Sequence, residues 1–101
     1  MKTQNITIPA DIIEAFCAKH HIRRLALFGS ALRDDFTPES DIDLLAEFAP
    51  GEPVGLIRLG MVEAELSDLL GRRVDLNLPD MLSTYFRDEV LAEAETLYDA
   101  A

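Results

Sequence analysis

The chain has 101 residues, and 49% of them are hydrophobic. It contains 9 lysine and arginine residues and 19 aspartate and glutamate residues, which gives a net charge of -10. This length predicts one globular domain, residues 1–101, with its own hydrophobic core. The acidity argues against an extended nucleic-acid surface, because such a surface neutralises several phosphates with basic side chains. No apolar run approaches membrane-spanning length and the N-terminus leads into no signal sequence, so we expect a cytoplasmic protein without membrane contact.

The first half of the chain is predicted to form a helix, a strand and a return strand. Apolar residues at helical spacing follow Pro9 and indicate a helix that ends near residue 20. Within that helix the chain's single cysteine, Cys17, is expected to be a small buried apolar residue. A strand is predicted at 22–28, a short helix at 31–34, and, after a polar loop, a second strand at 41–48.

The second half is predicted to begin with a long amphipathic helix and to end with a helix and a short extended segment. Gly71 lies where the C-terminal cap of the long helix belongs. The apolar stripe of that helix is Leu56, Leu59, Val62, Leu66 and Leu69 or Leu70. The predicted elements are a helix, a strand, a second helix and an extended edge at 56–70, 72–78, 83–95 and 96–98.

Alternation along the two later strands predicts on which face their polar side chains lie. The apolar set is Ile42, Leu44, Ala46 and Phe48 in one strand and Val74, Leu76 and Leu78 in the other. If both apolar faces meet the helices, Asp41, Asp43 and Asp75 emerge on the same open side. The expected fold class is α/β (α+β), a small mixed, partly antiparallel sheet with helices packed on one face.

The most informative motif is Gly29-Ser30, ten further residues, and then Asp41-Ile42-Asp43. A glycine lets the backbone approach a phosphate closely, and a helix that begins at Ser30 would direct unpaired N–H groups at that anion. Asp41 and Asp43 are two residues apart on a strand, so their side chains leave the same face. This separation suits two carboxylates that share a pair of divalent cations for in-line attack at phosphorus.

This motif resembles the signature of the DNA polymerase β-type nucleotidyltransferase superfamily, and in particular of its minimal nucleotidyltransferase (MNT) group. The resemblance extends from about residue 22 to the C-terminus, and it includes Asp75 in Arg73-Val74-Asp75-Leu76, where the superfamily carries a third carboxylate. It implies a polymerase β-like fold. It also implies that Asp41, Asp43 and Asp75 are catalytic residues that bind Mg²⁺, as two ions, with ATP as substrate.

The resemblance also implies a role for each residue that surrounds the carboxylates. Gly29 and Ser30 would hold the β- and γ-phosphates, and Asp75 would help to deprotonate the attacking hydroxyl. Arg33 lies within one helical turn of Gly29 and would contact a phosphate or the leaving group. From the residues alone, other interpretations stay open. Arg33 can be a solvated surface arginine, Asp75 an exposed strand residue, Gly29-Ser30 an ordinary turn, and Asp41 and Asp43 a pair of aspartates that face solvent.

The predicted activity is Mg²⁺-dependent transfer of AMP from ATP to a hydroxyl, with release of pyrophosphate. A chain of this length leaves little room for an acceptor pocket, which favours a macromolecular acceptor. The bacterial members of the MNT group act as antitoxins beside HEPN-domain toxins, so the resemblance implies that the acceptor is a tyrosine on a cognate HEPN toxin. Two alternatives stay open: a non-catalytic antitoxin that neutralises its partner by occlusion, and transfer to a small molecule.

Three further groups of residues receive structural interpretations. Arg72 and Arg73 follow the long helix, where positive charge favours the C-terminal end of the helix dipole, and this interpretation is preferred to a role in partner binding. Tyr85 and Phe86 are expected to belong to the last helix as core or interface residues. His20 and His21 are adjacent, so their side chains diverge, and their spacing is not that of a zinc site.

Overall fold

The computed structural model describes residues 8–29, 41–51, 54–82, 85 and 87–100, and within them helices and strands alternate around one sheet. The elements are α1 (Ala10–His20), β1 (Ile22–Phe28), β2 (Ile42–Phe48), α2 (Leu56–Leu70), β3 (Val74–Asn77), α3 (Arg87–Glu93) and β4 (Glu95–Asp99). A 3₁₀ turn at Pro79–Met81 separates β3 from α3. None of the described helices combines the length and the apolar character needed to cross a membrane.

Most predicted elements are confirmed, and the deviations concern the residues at which individual helices and strands begin or end. The helix ending at residue 20, the strand at 22–28 and the helix at 56–70 have the predicted bounds. Gly71 caps α2 in the left-handed conformation, with φ of 65°. The strand predicted at 72–78 is shorter, and the predicted extended edge is a strand of five residues. The short helix predicted at 31–34 lies outside the described residues.

The sheet is mixed, as predicted, with strand order β3-β2-β1-β4. β1 runs antiparallel to both β2 and β4, whereas β2 and β3 are parallel. A parallel pair requires a crossover connection, and α2 supplies it. The chain therefore leaves β2 at one end of the sheet and re-enters β3 at the other, beside the start of β2.

The hydrophobic core lies between the sheet and the two longer helices. α1 contributes Ile13, Phe16 and Cys17, and α2 contributes Leu59, Val62 and Leu66. They share one buried cluster with the predicted apolar strand residues Ile42, Leu44, Ala46, Val74 and Leu76. Cys17 is fully buried, as predicted, and burial raises the pKa of its thiol to about 12.

Two predicted core positions are wrong. Leu56 is 78% exposed, because at about 100° per residue it lies roughly a quarter turn from the centre of the buried face of α2. Tyr85 is almost fully exposed and belongs to a turn, since α3 begins only at Arg87. The acidic residues Asp88 and Glu89 occupy the first turn of α3, where they complement the helix dipole. Phe86 lies outside the described residues.

Candidate active site

Asp43 of β2 and Asp75 of β3 are direct partners across the parallel strands. Paired residues of neighbouring strands project from the same face, and such strands lie about 4.8 Å apart. The flanking pairs, Ile42 with Val74 and Leu44 with Leu76, are buried beneath the helices. Asp43 and Asp75 therefore share the face of the sheet that α1 and α2 leave open, which confirms their predicted placement.

Gly29 directly follows β1 and lies against the Asp43 carboxylate. Its backbone has φ of +72°, a conformation that favours glycine. A Cβ atom at this position would overlap Oδ2 of Asp43. The preceding residue, Phe28, is the cross-strand partner of Asp43, so the strand register fixes this approach. Glycine is required here both by the backbone angle and by the proximity of the carboxylate.

Asp41 lies just before β2, next to an arginine rather than at the centre of a carboxylate cluster. Its Oδ2 is 3.8 Å from Nε of Arg73, and the side chain of Arg73 is 84% exposed. The Ile42 N–H donates to the Arg73 carbonyl at 2.9 Å, which extends the β2–β3 register by one residue. An exposed ion pair of this kind adds little stability, but it places a positive charge at the edge of the carboxylate face.

The position of Arg73 adds a contact to the interpretation made from the sequence. Arg73 follows the C-terminal end of α2, as expected, and its Nε also lies 3.8 Å from Oδ2 of Asp41. Alternation along the strand places Arg73 on the face of Asp75, since the two residues are two apart. The contact of Arg73 with Asp41 depends on the register of β2 against β3, and the sequence around Arg73 does not specify that register.

The side of the sheet that carries the carboxylates also holds buried apolar residues that the sequence reasoning missed. Leu45 and Ala26 are cross-strand partners and both are 3% exposed, although they lie on the face opposite the main core. Leu45 is two residues from Asp43, and its other neighbour is Asn77 of β3. Asp43 is half-buried beside these residues. The Asp43 carboxylate therefore lies next to buried apolar side chains on its own side of the sheet.

β3 is an edge strand, and side chains of α2 satisfy its outward N–H groups. The Leu76 N–H donates to Oε2 of Glu63 at 2.7 Å, and the Val74 N–H donates to Oγ of Ser67 at 3.0 Å. The Ser67 hydroxyl in turn donates to the Glu63 carbonyl at 2.9 Å. These bonds hold the residues on both sides of Asp75. Glu63 and Ser67 therefore position the third carboxylate without being on its face.

The donor set fits a divalent cation of the Mg²⁺ class. Carboxylate oxygens are the ligands that Mg²⁺ prefers, and it needs only one or two of them when phosphate oxygens and water complete the shell. Among the residues that the structure describes, no three acidic, histidine or cysteine side chains converge into a ready-made metal site. The assignment of Asp41, Asp43 and Asp75 as metal ligands stays a prediction. Ser30 and Arg33 lie outside the described residues, and their phosphate contacts also stay predictions.

A second group of charges joins α1 to α2 on the helical side of the sheet. Oε2 of Glu65 is 2.9 Å from Nε2 of His20, and both Glu65 oxygens are 3.1 Å from Nζ of Lys19. Hydrogen bonds from His20 and, to a lesser extent, from Lys19 hold the pKa of Glu65 below its ordinary value. The ring of His20 also packs against Phe16, with 4.7 Å between centroids. This cluster is a link between helices rather than part of the carboxylate face.

Comparison with known proteins identifies relatives of the whole domain. The model of the nucleotidyltransferase domain family matches residues 10–97. A protein of Methanocaldococcus jannaschii with the provisional name protein adenylyltransferase MJ0435 is 37% identical over 76 residues, which cover 75% of this chain and 80% of the relative.

Solved structures show the same fold. A structure described as a minimal nucleotidyltransferase has a TM-score of 0.68 at 34% identity, with 84% of this chain and 85% of that chain covered. A chain from the complex of tri-AMPylated Shewanella oneidensis HEPN toxin with MNT antitoxin has a TM-score of 0.65 at 21% identity. That match covers 89% of this chain and 69% of the other.

Proposed function

Because this chain belongs to the nucleotidyltransferase domain family, we propose that it is a protein adenylyltransferase that transfers AMP from ATP to a tyrosine of a HEPN-domain toxin. The transfer would inactivate the toxin, so the protein would act as its antitoxin. The observation that carries this proposal is the pairing of Asp43 with Asp75 on one open face, with Gly29 against the Asp43 carboxylate. This arrangement supports the proposal, because paired carboxylates on an open face suit the divalent cations that assist attack at phosphorus.

In the proposed reaction each residue of this face has a separate task. The acceptor oxygen forms a bond to the α-phosphorus, the bond from that phosphorus to the bridging oxygen breaks, and pyrophosphate leaves. Asp75 accepts the proton of the attacking hydroxyl, which requires it to reach the acceptor. Gly29 lets the backbone approach the β- and γ-phosphates, and Ser30 and Arg33 would add contacts to them.

Asp41, Asp43 and Asp75 would hold Mg²⁺, as two ions. When bound, the ions stabilise the charge on the attacking and leaving oxygens. The carboxylates need such counter-charge, since Asp43 and Asp75 are neighbours and a nucleotide triphosphate adds further negative charge. Arg73 supplies one positive charge at the edge of this face, beside Asp41.

The choice of nucleotide and acceptor is supported by the relatives. A protein 37% identical to this chain carries the name protein adenylyltransferase, which specifies AMP as the transferred group. A HEPN toxin is AMPylated in a complex whose antitoxin is of the MNT type, and a chain of that complex shares this fold. A tyrosyl-adenylate adds a bulky group and a negative charge, which would interfere with RNA binding by the toxin.

The experiment that tests this proposal is incubation of the protein with ATP, Mg²⁺ and a cognate HEPN-domain toxin. Intact-mass spectrometry should show addition of AMP to the toxin, and fragmentation should place it on tyrosine. The Asp43→Asn protein should leave the toxin unmodified and active. A toxin that is unmodified but still neutralised by the Asp43→Asn protein would contradict catalysis and support occlusion.

A further inference from the structure

The solvent side of α2 carries a contiguous apolar surface along its first half. Leu56, Ile57 and Met61 are 78%, 84% and 69% exposed. At about 100° per residue, Gly60 and Ala64 lie on the same side of the helix, opposite the buried residues. We call these five residues the α2 apolar face. Single exposed apolar residues are ordinary, but a contiguous group on one helix face indicates an interaction site.

The charged side chains of this segment are directed away from the α2 apolar face. Between residues 56 and 64 the charged residues are Arg58 and Glu63. Arg58 donates to the His20 carbonyl at 3.2 Å and lies 5.5 Å from the ring centroid of Phe48. Glu63 accepts from the Leu76 N–H. Both charges are thus engaged with neighbouring elements, and the outward side of this segment is left without a charged side chain of its own.

We propose that the α2 apolar face docks a basic partner protein, which on the proposed function is the toxin. The three large side chains expose on the order of a few hundred Å², less than the roughly 800 Å² per partner of a standard interface. Charged and polar surroundings must therefore supply the remaining contacts. With a net charge of -10, this chain attracts a basic protein and repels a second copy of itself.

This docking site is separate from the carboxylate face. α2 packs on the sheet through Leu59, Val62 and Leu66, and Asp43 and Asp75 leave the other side of the sheet. A partner held on the outer side of α2 therefore leaves the carboxylates accessible. The α2 apolar face is thus a contact surface in addition to the carboxylate face, which the acceptor tyrosine of the toxin must still reach.

The test compares variants that place charge on two sides of the same helix. The double variant Ile57→Glu/Met61→Glu places two carboxylates on the α2 apolar face, and Leu69→Glu is the control on the other exposed flank of α2. Circular dichroism and thermal melting check that both fold. Calorimetry with a HEPN-domain toxin should show Kd raised by at least about a hundredfold for the double variant. Leu69→Glu should keep the wild-type Kd, and added salt should weaken wild-type binding.

Two outcomes would overturn the docking proposal. One is an unchanged Kd for a folded double variant. The other is a wild-type dimer in sedimentation velocity that the double variant abolishes, which would make a second copy the occupant. The AMP transfer assay separates this proposal from the proposed function. If the wild-type protein binds the toxin tightly but transfers no AMP, only the enzyme assignment is contradicted. If AMP is transferred and the double variant binds the toxin as tightly as wild type, only the docking proposal is contradicted.

Discussion

Gly29 and Asp43 are in direct contact, and the space between them admits no side-chain carbon. We predict that Gly29→Ala destabilises the fold and weakens nucleotide binding, because the methyl group would displace the Asp43 carboxylate. Gly71→Ala is the matched control, since Gly71 has a similar φ of +65° but open space around it. Both variants bear a backbone cost of about 1 kcal/mol. Denaturant unfolding should show a further loss of about 1–3 kcal/mol in Gly29→Ala alone, and calorimetry with ATP should show weaker binding only there.

Asp75→Asn should separate nucleotide binding from chemistry. Asp75 is exposed on β3 and its proposed task is to accept the proton of the acceptor hydroxyl. Loss of a general base lowers the rate of transfer by about a hundredfold or more, whereas ATP keeps the backbone approach at Gly29 and the Mg²⁺ that Asp41 and Asp43 would hold. Calorimetry and single-turnover transfer measure the two effects. Transfer near the wild-type rate would show that Asp75 is only an exposed strand residue.

Glu63 is predicted to stabilise β3, the strand that carries Asp75 on the carboxylate face. Removal of its carboxylate in Glu63→Ala leaves the Leu76 N–H without its acceptor, which costs about 1–3 kcal/mol. Glu63→Gln keeps an acceptor oxygen at the same distance and should lose less than half as much. Denaturant unfolding of the two variants provides the comparison. Equal loss in both would mean that charge, rather than the hydrogen bond to β3, accounts for the effect.

The link between α1 and α2 should make part of the stability depend on pH. The pKa of Glu65 is lower in the folded protein than the ordinary value of a glutamate, because the side chains of His20 and Lys19 donate to its carboxylate. A carboxyl group whose pKa is lowered by folding stabilises the fold at any pH above its pKa in the unfolded chain. This contribution is lost as the pH falls through its pKa in the folded protein. Glu65→Gln should therefore melt below wild type at neutral pH, and the difference should close as the pH falls below 4.5. A difference that stays constant down to acidic pH would contradict this account.

The sequence predicted the fold well where the pattern is local. Helical spacing in α2 and alternation in β2 and β3 require only neighbouring residues, and the left-handed cap at Gly71 requires only a glycine after the last apolar turn. The same alternation placed Asp43 and Asp75 on one face, because Val74 and Leu76 fix which side of β3 meets the helices.

The features that the sequence did not predict depend on contacts between distant segments. Arg73 lies beside Asp41 because β3 pairs in parallel with β2, a register set by the crossover through α2. Glu63 lies next to core residues in the sequence, and only the packed helix shows that it accepts from the edge strand. Leu56 fits the apolar spacing of α2 yet lies on its solvent side, since a stripe of leucines does not specify where the packed face ends.

If the carboxylate face transfers AMP from ATP, the α-phosphate enters the acceptor and the γ-phosphate does not. A radioactive label at one or the other phosphate tests this most directly. The protein is incubated with Mg²⁺, a cognate HEPN-domain toxin, and ATP labelled at either the α- or the γ-phosphate. We predict that the α-label enters the acceptor and the γ-label leaves as pyrophosphate, and that Asp43→Asn abolishes the labelling. Incorporation of the γ-label, or labelling that survives Asp43→Asn, would contradict the proposed reaction and the site assigned to it.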